Sequence, residues 1–255
     1  MSKINPAPKT SKTIDANQVV KEIRKTAEPE RVSELARYFK TNIGQYGAGD
    51  LFLGSKVPSV RGVAKLYPDL SLSELDKLFY SPYHEIRLCA AIILNLKFDK
   101  AVDPKERKKL FEFYLRQVRK NRINNWDLVD VSAPIIGKYL IKNDNSLPLL
   151  LTLSDSKSLW ERRTSIIFTF ALIRSGDLKP TIIIAQALLE DEEDLIHKAV
   201  GWMLREVGKL DAPLLREFLK QNSHKMPRTM LRYAIEKFSA NERKKWLSES
   251  KNISF

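Results

Sequence analysis

The chain has 255 residues, 44 Lys and Arg against 31 Asp and Glu, and a formal net charge of +13. That excess, with a pI near 9.7, points to a polyanionic partner such as DNA, RNA or an anionic membrane surface. No run of 18 consecutive apolar residues is present, which excludes an apolar helical membrane span, and nine glycines are few for a β-rich or dinucleotide-binding fold.

The first 13 residues carry three lysines, two prolines and no apolar segment of the secretory kind, and are expected to form a flexible basic tail. From residue 14 to 250 nearly every segment has helical periodicity. The breaks are short: "SPYH" at 81–84, "DPKE" at 103–106, "SGD" at 175–177 and "DAP" at 211–213. Several of them put proline where the first turn of a helix tolerates it. The segment 41–59, "TNIGQYGAGDLFLGSKVPS", holds four of the nine glycines and reads as an irregular connection anchored in the core by its "FLG". It is not a nucleotide-phosphate loop, because no Gly-Lys-Ser/Thr follows the glycines. The single cysteine, Cys89, lies in an apolar run and cannot form an intramolecular disulfide. It is expected to be a buried small hydrophobe in a reducing, cytoplasmic setting.

Four helical segments resemble one another: "HEIRLCAAIILNLKF" (84–98), "WERRTSIIFTFALI" (160–173), "LIHKAVGWMLREVG" (195–208) and "PRTMLRYAIEKF" (227–238). Aligning Arg87, Arg163, Lys198 and Arg232 gives spacings of 76, 35 and 34 residues, so that one unit is missing near 121–142. Two helices per unit of this length suggest an all-α solenoid: a curved right-handed superhelix of HEAT-like helical pairs, in one domain over 14–250. Equivalent positions of stacked repeats form a row. Arg87, Arg163, Lys198 and Arg232 are therefore expected to make a basic stripe on the concave face, suited to a polyanion.

The missing unit contains "INNWDLVDVSAP" (123–134). Asn124–Asn125 supplies a helix N-cap, and Asp127 in the first turn meets the positive end of the helix dipole. Asp130 lies beyond that turn, one turn from Trp126 on the same face. Two readings of it stand open: a carboxylate poised in a cationic groove, or the partner of a repeat cation such as Arg163. Trp202 follows Lys198 by one turn, which suits a groove lining. Trp160 and Trp246 lack such neighbours and are expected to be structural. The three histidines share no ligand spacing, and no metal or cofactor is expected. No Ser/His/Asp or Cys/His nucleophile arrangement appears, and Lys198 is the one candidate for a lysine nucleophile with lyase activity.

The segments "ELARYFKT" (34–41), "FLGSKVP" (52–58), "NNWDLVD" (124–130), "LWERR" (159–163) and "HKAVGWMLREVGK" (197–209) resemble the AlkD DNA glycosylases, alkylation-repair members of the HEAT-like superfamily. The resemblance runs from about residue 28 to 240 and departs from the family in the longer Gly-rich stretch. It implies hydrolytic excision of N3- and N7-alkylated purines such as 3-methyladenine and 7-methylguanine from duplex DNA, without flipping the base into a pocket. It also implies that Tyr38, Trp126, Asp130, Arg163 and Trp202 are the functional positions. On that reading Asp130, Trp126 and Trp202 form the catalytic group, Tyr38 and Arg163 hold phosphates, and one copy of the chain acts alone on DNA. The chemistry is consistent with it. Cleaving the sugar–base bond leaves positive charge on the sugar, which an ionised Asp130 would stabilise. At ~4 Å and an effective dielectric near 20 the attraction is about 4 kcal/mol, roughly a thousandfold in rate. That is enough for a purine that is already cationic and leaves neutral. The alternatives are a non-catalytic HEAT-like binder of damaged or distorted nucleic acid, and a protein-interaction scaffold.

Overall fold

The computed structural model describes residues 14–249. The basic tail expected at 1–13 lies outside the described residues, as does residue 250. Among the described residues the chain is helical throughout, and its β pairing is one isolated bridge between Leu51 and Tyr83.

The helices are α1 (Ala16–Arg24), α2 (Val32–Tyr38), α3 (Val57–Leu66), α4 (Leu72–Phe79), α5 (His84–Lys100), α6 (Pro104–Arg119) and α7 (Trp126–Ile136). They continue with α8 (Ser146–Ser154), α9 (Leu159–Arg174), α10 (Lys179–Ala187), α11 (Asp194–Leu210), α12 (Ala212–Asn222), α13 (Arg228–Ala234) and α14 (Ala240–Glu249). Their starts follow local chemistry. The side chains of Ser71, Asp103, Asn125, Ser158 and Asp211 accept from first-turn backbone N–H groups, which removes orphan donors from α4, α6, α7, α9 and α12. Pro58, Pro104, Pro180 and Pro213 fall in first turns, where a missing N–H costs no hydrogen bond.

Two layers result. Helices α3, α5, α7, α9, α11 and α13 pack each on the next, while α4, α6, α8, α10 and α12 cover their other side. The inner helices α5 and α9 are buried nearly all round, including every residue from His84 to Asn95. A helix buried on all faces belongs inside the stack. The four look-alike segments and the missing unit are five successive inner helices, α5, α7, α9, α11 and α13. This is the HEAT-like helical-pair architecture expected from the repeat spacing. Cys89, Trp160 and Trp246 are buried, as their sequence settings suggested.

The register carries a consequence for the site. Asp130, Arg163, Lys198 and Arg232 are each the fifth residue of α7, α9, α11 and α13. Asp130 thus takes the place in its helix that a cation takes in the other three, and the next helix in the stack presents Arg163 to it.

Close approach of inner helices depends on Gly201 of α11. A methyl group there would lie 2.5 Å from both the Met230 carbonyl oxygen and Tyr233 Cβ on α13. Gly201→Ala should therefore separate α11 from α13 and lower stability by about 1–3 kcal/mol. Urea unfolding checks this; a parent-like midpoint would show that the two helices tolerate a wider spacing.

Candidate functional site

The site is built on a buried charged layer beneath the N-terminus of α7. Asp50, from the Gly-rich segment, is its hub. Asp50 Oδ1 accepts from Arg87 at 2.6 Å and from Asn124 at 3.4 Å, and Asp50 Oδ2 accepts from Asn125 at 3.4 Å. His84, the first residue of α5, links Asp50 (Nδ1 to Oδ2, 3.2 Å) to Asp127 (Nε2 to Oδ2, 2.8 Å). Burial disfavours the imidazolium, but Asp127 and Asp50 outweigh it and hold His84 up to about 9. Burial likewise opposes ionisation of Asp50, yet His84 and Arg87 keep its carboxyl below the ordinary aspartate value. The backbone joins the same parts, with Leu51 N–H donating to Pro82 O and His84 N–H to Leu51 O. Phe52 is buried, and Leu53 and Gly54 donate their N–H groups to the Glu85 carboxylate, so "FLG" does anchor the connection.

Above this layer the aromatic rings are stacked. His84 lies against Phe39 and Phe52 at centroid distances of 4.8 and 5.0 Å, and Phe39 stacks on Trp126 at 5.5 Å and 17°. Tyr38 meets Trp126 edge-on at 6.0 Å. Trp126 therefore has one face packed on Phe39, and its remaining surface opens into a cleft of about 510 Å3. Tyr46 lines the same cleft as Trp126.

That cleft collects Tyr38, Trp126, Asp130, Arg163, Lys198 and Trp202. The Arg163 guanidinium grips Asp130 with two bonds, Nε to Oδ1 at 3.0 Å and Nη2 to Oδ2 at 2.8 Å, while Nη1 donates to Leu195 O. The Arg163 side chain is 5 % exposed and that of Asp130 20 %, so the fork is sealed on the arginine side and open on the carboxylate side. Burial raises the Asp130 carboxyl above the ordinary aspartate value, and the Arg163 charge and hydrogen bonds pull it back. Lys198 bonds Asp194 at 2.6 Å, and this pairing raises its ammonium above the ordinary lysine value.

The expected basic stripe is corrected at two of its four members. Arg87 is buried, spent on Asp50 and on Ser81 O, and cannot reach a phosphate. Arg163 is buried against Asp130 and Leu195, so its charge is committed inside the protein. Lys198 remains at the cleft with its charge matched by Asp194, and Arg232 is exposed but outside the cleft lining, where its neighbour Tyr233 stands instead. Asp130 is ion-paired with Arg163, as the second reading expected, and it also lines the cleft. The helix-dipole account of Asp127 is incomplete, because its carboxylate also accepts from His84. Residues that sequence reasoning missed are Lys40, Tyr46, Arg205 and Tyr233, all in the cleft lining. For Tyr46 the signal was its place in the one segment that departs from the repeat pattern.

The comparisons agree with this architecture. The family model described as "DNA alkylation repair enzyme" matches residues 19–238. No curated protein matches in a sequence comparison. Among solved structures, a predicted DNA alkylation repair enzyme from Enterococcus faecalis is 16 % identical, with a TM-score of 0.66 over 84 % of this chain and 98 % of that one. A second is a member of a family related to the HEAT-like repeat DNA glycosylases with affinity for branched DNA structures. It is 11 % identical, with a TM-score of 0.53 over 92 % of this chain and 95 % of that one.

The elevated His84 gives stability a pH dependence of definite sign. A folded-state value of about 9 against the unfolded 6.5 contributes fully below about pH 6.5 and is lost as pH rises through about 9. Thermal melts from pH 6 to 10 should show a fall of order 3 kcal/mol that His84→Gln abolishes. A parent curve flat across that range would mean that His84 is neutral in the fold.

Proposed function

This chain belongs to the DNA alkylation repair enzyme family, and we propose that it is a glycosylase that hydrolyses cationic N3- and N7-alkylpurines from duplex DNA without taking the base into a pocket. The observation that carries the reading is one cleft whose lining includes Asp130 and the two indoles Trp126 and Trp202, with the carboxylate gripped by Arg163. The cleft lining combines aromatic rings with charged groups that are mostly paired with one another, which suits a sugar–phosphate backbone.

The residues divide the work. The C1′–N bond breaks with its electron pair going to the purine, which leaves neutral because alkylation had made it cationic. Positive charge then develops on the sugar. The ring faces of Trp126 and Trp202 present negative quadrupole to that cation, and the Asp130 carboxylate supplies full charge. Water adds to C1′ and its proton passes to Asp130 or to solvent. The Arg163 fork has two opposing effects. It offsets part of the carboxylate's field, and it keeps a half-buried acid ionised and fixed in orientation, which preorganisation requires. Lys198 is held protonated by Asp194, so it lacks the free amine lone pair a Schiff-base lyase needs. Hydrolysis is favoured over lyase chemistry for that reason.

The same ion pair gives a second reading its specific support: a non-catalytic binder of distorted duplex would also keep Asp130 neutralised. One set of measurements separates the two. Purified protein incubated with N7-methylated duplex should release 7-methylguanine. Asp130→Asn should slow release by about a thousandfold, the equivalent of ~4 kcal/mol, with circular dichroism confirming an intact fold. Release by Asp130→Asn at the parent rate rules the catalytic assignment out; no release by either protein favours the binder. Activity should also fall as pH drops through the Asp130 ionisation, with an acidic limb above the ordinary aspartate range because burial raises that carboxyl. A rate constant down to pH 4 would contradict an essential Asp130 carboxylate. Borohydride should trap no protein–DNA adduct, and a trapped adduct lost in Lys198→Met would reinstate the lyase.

A further inference from the structure

The cleft poses a charge problem. Four cations line it: Lys40, Arg163, Lys198 and Arg205. Arg163 is matched by Asp130, Lys198 by Asp194, and Arg205 by Glu206 and Glu236. Among the described residues Lys40 makes no ion pair. Its ammonium stands 5.7 Å over the ring of Tyr46, which also lines the cleft. Two members of the expected basic stripe, Arg87 and Arg163, are buried. The side chain left to neutralise a phosphate at the cleft mouth is therefore Lys40.

The backbone supports the same residue independently. Phe39 is the C-cap of α2, and Lys40 follows it with φ +52°, in the left-handed region. Lys40 N–H donates to Arg37 O and Thr41 N–H to Ala36 O, the paired bonds of a helix C-terminal motif whose left-handed position usually holds glycine. A lysine there is strained, and it stands at the rim of the cleft. The loop then closes on it: Gly47 N–H donates to Lys40 O at 3.1 Å, and a Cβ at Gly47 would lie 2.3 Å from Phe39 O. This closure sets Tyr46, next to Gly47, under the Lys40 ammonium and in the same cleft lining as Trp126.

Resting on the reading of the cleft as a DNA site, we infer that Lys40, seated on Tyr46, is its phosphate clamp: it binds a backbone phosphate of the strand whose sugar lies between Trp126 and Trp202. Recognition is ionic and independent of base identity, and Tyr46 seats the clamp in the same lining as the indole.

Lys142 provides a matched control. It too is an exposed lysine at positive φ (+57°), but it is outside the cleft lining. Lys40→Gly and Lys142→Gly both relieve left-handed strain, so both proteins should melt no lower than the parent. Each phosphate contact contributes about 0.9 to the slope of log K against log salt on duplex DNA. Lys40→Gly should reduce the slope by that amount, so that the parent's affinity advantage shrinks about 3.5-fold between 50 and 200 mM salt. Lys40→Arg should restore the slope, and Lys142→Gly should leave it at the parent value. An unchanged slope in Lys40→Gly, an equal loss in Lys142→Gly, or no binding of duplex DNA by the parent each overturns the proposal. Undamaged duplex serves as the probe, so a failure of base excision leaves this measurement intact and the two readings fail separately.

Discussion

In the proposed reaction a carboxylate that faces DNA must be kept charged and kept still, and the Arg163 fork on Asp130 favours the ionised form against burial and fixes its orientation. Without it, a half-buried acid beside Asp127 would take up a proton or swing away from the incoming phosphates. The fork is itself fixed by Leu195 O on the next inner helix, so the orientation of one carboxylate depends on the contact of α7 with α9 and of α9 with α11. The layered rings and the charged layer of Asp50, His84, Arg87 and Asp127 set the other coordinate, the angle at which α7 presents Trp126. Removing either partner of a buried pair of this kind is far more damaging than the pair's net contribution suggests, because an uncompensated charge is left behind.

Charge in this protein is thus divided by function. The overall +13 draws a polyanion from a distance and falls off within a Debye length. The cleft is different: its cations are largely matched by carboxylates, which lets an acid operate inside a basic molecule. On the proposed reading, the long-range field would bring DNA to the surface, and the local balance would let a developing sugar cation find negative charge once there.

Much of the fold was legible because repetition is a one-dimensional signal. The inner helices announced themselves by apolar runs of similar length with a basic residue near the start, and the break motifs coincided with their joints. The grouping of Trp126, Asp130, Arg163 and Trp202 in one cleft followed from the same register. What the sequence hid was the fate of individual charges. Recurring cations look alike whether they face solvent, as Arg232 does, or are spent inside, as Arg87 and Arg163 are, because burial depends on partners 33 to 37 residues away. The Asp50–His84–Asp127 link joins the Gly-rich connection to two inner helices, with no spacing rule to predict it. Lys40 and Tyr46 were hidden for another reason: a left-handed lysine and a glycine closure have no periodicity.

Because α7 and α11 do not touch as neighbours but are joined through α9, the aperture between Trp126 and Trp202 is the sum of two helix-to-helix joints. Small rotations at each joint add, like the links of a hinged chain. Packing changes on the remote outer layer, around α8 and α10, can thereby widen or narrow the aperture with every lining side chain intact. On the proposed reading, tuning which adducts fit would then need no change at the chemistry itself.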